Sequence, residues 1–275
     1  MSEPLISSKR LTERVFDDSS RVYDRTGPKV FAQFGSRLVE EVPFEPDARV
    51  LDVATGRGAV LLAVARRLGP DGRATGIDLS AGMVQETERA AAAEGLANIE
   101  LRKMDAESLE FPDQTFDAVL CAHSLFLFPD QDAAVREMYR VTKPGGYVGL
   151  SVFGNTPPAF APAWTILARQ LDEYQAALPL PDPLPYHTAE GLAALLERCG
   201  FTGARAVSET SDIVYERGEE WWDFLLTMAA RSPILSVPET RQAQFREELL
   251  GKLRPMFSGD GLHLPVSMVY ATARR

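Results

Sequence analysis

An apolar strand that runs into an acid and then into a glycine turn constrains this chain more than any other feature. Residues 50–58 read Val50-Leu51-Asp52-Val53-Ala54-Thr55-Gly56-Arg57-Gly58, and Ala59 to Leu68 continue as a helix. Glycine has no Cβ, so a turn of this kind lets backbone N–H groups approach a ligand closely at the start of a helix. Twenty residues past Gly58 a second strand, Ala74-Thr75-Gly76-Ile77, ends in Asp78. A carboxylate at that point suits the two hydroxyls of a ribose. The pattern implies an α/β fold that binds an adenosine-containing cofactor.

The rest of the chain supports that frame. Strands are expected at 49–54, 73–77, 98–102, 116–122 and 146–153, with helices at 58–68, 80–94 and 130–141 between them. Ser80 and Asp130 suit helix N-caps, and Gly69-Pro70 and Gly95 are stop signals. Strands separated by helices imply a parallel, doubly wound sheet. Before it, residues 1–45 form an amphipathic helical cap, broken at Gly27-Pro28. After it, residues 155–275 supply lid and substrate-pocket helices (163–177, 188–199, 219–230, 238–253) and strands at 203–215 and 263–273. The three segments 1–45, 46–154 and 155–275 are expected to form a single catalytic domain with its cofactor core in the middle.

Charge and cysteine usage narrow the partners. The 275 residues carry a net charge of −10, which repels duplex nucleic acid and anionic membrane surfaces. The N-terminus lacks the apolar run of a secretory signal, and no segment reaches 18 uninterrupted apolar residues. Cys121 and Cys199 lie far apart and show no metal spacing, so the expectation is a cytoplasmic protein with reduced thiols and no metal. The oligomeric state is not legible.

A nicotinamide-binding turn wants a third glycine for close helix–strand packing, and here that position is Leu61. Tyr139 and Lys143 have the spacing of a reductase pair, but Pro144 ends the helix directly after the lysine. Lys103-Met104-Asp105-Ala106 follows the third strand, Phe116-Asp117-Ala118-Val119-Leu120 opens the fourth, and Arg140-Val141-Thr142-Lys143-Pro144-Gly145-Gly146 precedes the fifth. In this order the residues resemble the class I S-adenosylmethionine-dependent methyltransferases. Within that family they are similar to the small-molecule branch that includes the ubiquinone and menaquinone biosynthesis methyltransferases.

The resemblance is good over about residues 45–154 and loose elsewhere. It implies a Rossmann-like, seven-stranded, mostly parallel sheet with an antiparallel last strand, flanked by helices, plus a helical lid. It also implies S-adenosyl-L-methionine as cofactor and assigns residues to it. Asp52 lies near the methionine amino group, and Gly56 and Gly58 leave room for the methionine and ribose. Asp78 binds the ribose hydroxyls, and Leu79 and Met83 pack on the adenine. Asp105 accepts from the exocyclic adenine amine, with the Ala106 backbone beside it. Ala122 and His123, at the end of the fourth strand, face cofactor and acceptor. Ala54 departs from the family pattern by replacing its first glycine, which tightens the turn.

Each residue also has a plainer reading. Asp52 and Asp105 could satisfy turns, Asp78 could cap a helix, and Met83 could be core. Asp117 and the Lys143–Gly146 turn read as structural. His123 is the candidate catalytic base, since histidine titrates near neutrality, but a strand-end histidine also serves as a pocket wall. Tyr23 is a candidate to cover the cofactor, where an aromatic face attracts a sulfonium. Phe16, Phe153, Trp164 and Trp222 are candidates to line an apolar acceptor pocket, with Phe160 in the same aromatic excess.

The expected reaction is methyl transfer to a small, largely apolar metabolite, a quinone-type precursor or a specialised natural product. Positioning in line is worth roughly 7–11 kcal/mol of the barrier, so no catalytic triad is required. These residues do not select oxygen, nitrogen or carbon as the acceptor. The alternatives are a cofactor-binding enzyme of this fold that cyclises or rearranges its substrate, and a nicotinamide-dependent oxidoreductase.

Overall fold

The computed structural model describes residues 9–25, 27–155, 161–176, 185–227 and 230–275. Its strands are β1 (Arg49–Val53), β2 (Arg73–Asp78), β3 (Ile99–Lys103), β4 (Phe116–Ala122), β5 (Thr142–Phe153), β6 (Thr202–Tyr215), β7 (Phe257–Ser258) and β8 (Gly261–Arg274). They form one sheet in the order β3-β2-β1-β4-β5-β8-β6, with the short β7 paired to β8. The β1 to β5 pairs are parallel, and β8 runs antiparallel to both β5 and β6. Val50, Leu51 and Val53 of β1 are completely buried, as a central parallel strand covered on both faces requires. The reversal of strand order between β1 and β4 opens a crevice beyond the carboxyl ends of the strands, where ligands bind in doubly wound folds.

Helices α1 (Lys9–Ser19) and α2 (Val30–Glu41) precede the sheet; α3 (Leu61–Arg67), α4 (Ala81–Ala93) and α5 (Gln131–Val141) connect its strands. The later helices are α6 (Ala161–Glu173), α7 (Ala189–Arg198), α8 (Gly218–Leu225), α9 (Arg231–Ser236) and α10 (Glu239–Leu253). Helices α2 and α3 belong to one apolar core, and α5 and α7 to another that holds Ala134, Val135, Met138, Leu192, Leu195 and Leu196. The apolar stripe Phe31, Phe34, Leu38 and Val39 is what lays α2 on the sheet. Gly149 of β5 makes room for it: a Cβ there would come within 2.4 Å of Val42 Cγ2. The expected N-terminal cap therefore divides, with α2 packed on the sheet and α1 set over the crevice.

Local differences from the expectation have local causes. The turn after β1 extends to Val60, so α3 begins at Leu61. Lys143–Gly146 lies inside β5 as an irregularity of the β4–β5 register. Asp117 ties that region together, accepting from Arg49 N at 2.8 Å and from Lys143 Nζ at 2.7 Å. The helix expected at 219–230 is α8, which ends at Leu225, and a short helix that was not expected, α9, follows from Arg231. Trp221 of α8 is fully buried, with Trp164 of α6 edge-on at 6.3 Å. Phe160 lies outside the described residues. Among the described residues no helix is long and apolar enough to cross a membrane, and no group of His, Cys, Asp or Glu could hold a metal ion.

Candidate active site

A cavity of about 820 Å³ occupies the crevice at the strand ends. It is walled by the ends of β1 (Asp52, Ala54), β2 (Asp78), β4 (Ala122, His123) and β5 (Phe153), and by Met104 and Asp105 after β3. Its size falls within the range of small-molecule sites.

The β1 turn is braced by Asp52. Its Oδ2 accepts from Thr55 Oγ1 at 2.6 Å and from the first α3 amide, Leu61 N, at 3.0 Å. Burial pushes this carboxyl up to about 7 despite both bonds. Ala54 holds φ +57°, a left-handed conformation that suits glycine and strains alanine. The two glycines then play different parts. At Gly56 (φ +54°) an added Cβ would meet nothing within 4 Å, so the space above the turn belongs to the cavity. At Gly58 (φ +84°) a Cβ would sit 2.9 Å from Thr87 Cγ2 and 3.0 Å from Leu62 Cγ, so this glycine serves packing against α3 and α4.

Asp78 is set by two amides. Gly56 N donates to Oδ2 at 2.8 Å and Ser80 N to Oδ1 at 2.9 Å. Burial raises the carboxyl to about 6, and these backbone bonds oppose the rise. A carboxylate has four lone-pair sites, so each oxygen keeps capacity for a ribose hydroxyl. Ser80 caps α4 through Met83 N, and Leu79 and Met83 both line the cavity.

Helix α1 crosses the cavity and is tied down at three places. Lys9 Nζ lies 2.6 Å from Asp105 Oδ2 and 2.7 Å from Glu107 Oε2. Glu13 pairs with Lys103 at 2.5 Å. Asp17 Oδ1 accepts from Ser80 Oγ at 2.5 Å and from Gly82 N at 2.9 Å, placing an acid at the positive end of α4. Lys9, Thr12, Glu13 and Phe16 face the cavity from this helix. Asp105 also accepts Glu107 N at 3.0 Å, so an adenine amine would have to share it with two existing donors.

Opposite α1 the walls are aromatic. Tyr23 stacks on Phe31 at 5.1 Å, and Phe31 stacks on Phe224 at 6.2 Å. His123 sits among Phe31, Phe34 and Phe153, with ring centroids 5.7, 5.5 and 5.3 Å away. Its backbone is left-handed (φ +56°), and its Nε2 is buried without a hydrogen-bond partner. Burial pushes the imidazole down to about 3, so it is neutral across the physiological range. That environment does not suit a proton acceptor at neutral pH; it suits a neutral imidazole waiting for a polar partner.

Asp52, Ala54, Gly56, Gly58, Asp78, Leu79, Met83, Asp105, Ala106, Ala122, His123, Tyr23, Phe16, Phe153 and Trp164 all line this one cavity. Trp222 does not. It packs on Phe245 of α10 at 6.0 Å, with the Arg246 guanidinium 5.9 Å from its ring centre. Neighbouring helix positions face different directions, which is why the Trp221-Trp222 pair cannot serve one wall. Sequence reasoning missed Lys9, Asp24, Phe31 and Arg57, which also line the cavity. The Arg57 guanidinium donates to Tyr23 O at 3.0 Å and lies 3.5 Å from Glu86. Its place inside the glycine turn was the one signal that could have singled it out.

Comparison with known proteins agrees with this geometry. Residues 50–146 match a family model described as a methyltransferase domain. The chain is 34% identical over 212 residues to the aklanonic acid methyltransferase DauC of Streptomyces sp. (strain C5), covering 72% of this chain and 95% of that protein. It is 29% identical over 274 residues to the nocamycin O-methyltransferase of Saccharothrix syringae, covering 94% and 97%. A demethylmenaquinone methyltransferase of Staphylococcus aureus (strain JH9) is 30% identical over 224 residues, covering 75% and 91%. Among solved structures, the [4+2]-cyclase SpnF shares the fold with a TM-score of 0.59 at 20% identity, over 98% of this chain and 97% of that one. The chain belongs to the class I S-adenosylmethionine-dependent methyltransferases. Its cofactor is S-adenosylmethionine, and it is an enzyme of methyl transfer.

Proposed function

We propose that this enzyme methylates an oxygen of a small, planar, largely apolar metabolite of the polyketide or quinone type. The observation that carries the reading is the division of one cavity. One end holds an amide-braced carboxylate, Asp78, beside the open turn at Gly56. An aromatic part of the wall holds Phe31, Phe126, Phe153 and Trp164, with the Phe153 ring 6.3 Å from those of both Phe31 and Phe126. The names of the relatives, an aklanonic acid methyltransferase, a nocamycin O-methyltransferase and a demethylmenaquinone methyltransferase, support the acceptor class.

The cofactor, when bound, supplies a methyl carbon on a cationic sulfur. The chain's own residues position and desolvate. Asp78 would hold the ribose hydroxyls, Leu79 and Met83 would line the adenine, and Asp105 would take its exocyclic amine on a lone pair that Lys9 and Glu107 leave free. Ionised Asp52 would attract the methionine ammonium. Tyr23 and Phe16 cover the cofactor from α1 and the loop after it. His123 receives a polar group of the acceptor on its unpartnered ring nitrogen. The aromatic wall excludes water, which favours a step in which charge is lost.

Calorimetric titration with S-adenosylmethionine, S-adenosylhomocysteine and nicotinamide dinucleotides tests the cofactor half. The expected result is micromolar binding of the two adenosyl sulfur compounds and none of the dinucleotides. The acceptor half is tested by S-adenosylhomocysteine release with hydroxylated anthraquinones and naphthoquinones. Release with none of them contradicts the proposed substrate class.

A further inference from the structure

Asp24 ends the segment that leads from α1 towards α2, with left-handed φ +50°, a conformation aspartate tolerates better than most residues. Helix α2 has no side-chain cap of its own, because Lys29 at its N-cap is itself left-handed (φ +49°) and makes no side-chain bond. The Asp24 carboxylate lies near that helix start, where the backbone N–H groups of Phe31 and Ala32 favour its charged form. Its Oδ1 is buried and has no hydrogen-bond partner. Asp24 lines the cavity beside Tyr23 and Phe31. A desolvated carboxylate oxygen left without a partner is costly unless a ligand completes it.

The groups that face this carboxylate are Tyr23, Arg57 and Lys29, with Tyr215 of β6. Tyr23 and Tyr215 are held well above the usual phenol range by burial and then by Asp24, so neither competes as a base. Burial pushes Asp24 up to about 6, against the pull of the two amides and of Arg57 and Lys29. His123, in the same cavity, is pushed the other way, to about 3. Where two titratable groups of one site are driven apart, the acid–base assignment follows the group left near the working pH.

We propose that the Asp24 carboxylate is the general base of methyl transfer and that the acceptor is a phenol- or enol-type hydroxyl. This rests on the methyltransferase reading and deepens it. In the step, the acceptor oxygen forms a bond to the methyl carbon as the carbon–sulfur bond breaks. The electron pair of that bond stays on sulfur, which becomes a neutral thioether, and the hydroxyl proton passes to the Asp24 carboxylate. Water takes the proton after product leaves.

The test uses the full chain with S-adenosylmethionine and 2-hydroxyanthraquinone as the probe phenol. Wild type should show an acid limb near pH 6 in kcat/KM. Asp24→Asn keeps the size of the side chain without its charge and should lose about 10²–10⁴-fold in kcat at saturating cofactor. Its Kd for S-adenosylhomocysteine should stay within twofold of wild type, and His123→Gln should keep the acid limb. Asp24→Glu should retain the limb with reduced kcat, which preserves the test if the asparagine variant folds poorly. Turnover of Asp24→Asn within threefold of wild type overturns the assignment. A tenfold weaker Kd for S-adenosylhomocysteine with unchanged kcat also overturns it, and makes Asp24 a partner of the cofactor's ammonium. A wild-type protein that binds S-adenosylhomocysteine but leaves the phenol unmethylated overturns the acceptor class. Failure to bind S-adenosylhomocysteine at all would instead contradict the methyltransferase reading beneath it.

Discussion

Replacing Asp78 by alanine should separate cofactor binding from folding. The carboxylate receives Gly56 N and Ser80 N, and it is raised from 3.8 to about 6 by burial. A folded-state value above the unfolded one means that ionised Asp78 destabilises the fold, fully above pH 6 and not at all below the unfolded value. At about 1.36 kcal/mol per unit the penalty at neutral pH is about 3 kcal/mol. Alanine removes that penalty and leaves two amides without their acceptor, at roughly 1–3 kcal/mol each. The two changes nearly offset, so the melting temperature should move by only a few degrees. Cofactor binding has no such offset. Two charge-assisted hydrogen bonds from ribose hydroxyls are worth roughly 1.5–3 kcal/mol each. Loss of both should weaken S-adenosylhomocysteine by about 10²-fold or more in calorimetry at pH 7.5. A variant that melts like wild type and binds within twofold of it would refute the ribose assignment. A variant that melts more than about 15 °C lower would refute the energy balance.

Three further outcomes are expected. Burial pushes Asp52 up to about 7, so its ionised form, which faces the ammonium in the proposed pose, is scarce below that pH. Affinity for S-adenosylhomocysteine should therefore rise with pH, with Kd about tenfold weaker at pH 6 than at pH 8; Asp52→Asn should bind weakly and without this slope. Ala54→Gly relieves a left-handed alanine worth roughly 1–2 kcal/mol and adds back some glycine entropy, so stability in urea should rise by about 0.5–1 kcal/mol; a loss would show that the alanine is not strained. Lys9→Met breaks the tie from α1 to Asp105 and Glu107. Proteolysis within residues 9–19 should then quicken and S-adenosylhomocysteine should dissociate severalfold faster in stopped flow; an unchanged off-rate would mean that α1 does not cover the cofactor.

The sheet and the turn residues that line the cavity were legible because their signals are local. Asp52, Gly56 and Asp78 fall within two strand ends, and strand–helix alternation fixes where those ends meet. What was not legible depends on contacts between distant segments. Lys9 reaches Asp105 across 96 positions, and no periodicity in residues 1–45 announces that pairing. The stripe on α2 read as an amphipathic cap helix because the sequence cannot say whether an apolar face meets a lid or a sheet; Gly149 decides it for the sheet. Trp222 was drawn to the pocket by composition, yet its helix phase turns it to Phe245. Gly58 lines the cavity, and that Thr87 and Leu62 also need the space its Cβ would take is a contact between separate elements that the turn pattern does not show. His123 read as a base from its intrinsic pKa, and only the phenylalanines around it show why that value does not hold. Asp24 drew no notice because an aspartate before Arg25 and Gly27 reads as turn chemistry.

The most direct test of the central claim is a single-turnover reaction with methyl-labelled S-adenosylmethionine and a hydroxyanthraquinone, followed by mass spectrometry of both products. The account predicts one labelled O-methyl group on the acceptor for each S-adenosylhomocysteine formed. A changed acceptor with no label and no S-adenosylhomocysteine would contradict it and make this chain a cofactor-bound enzyme of rearrangement.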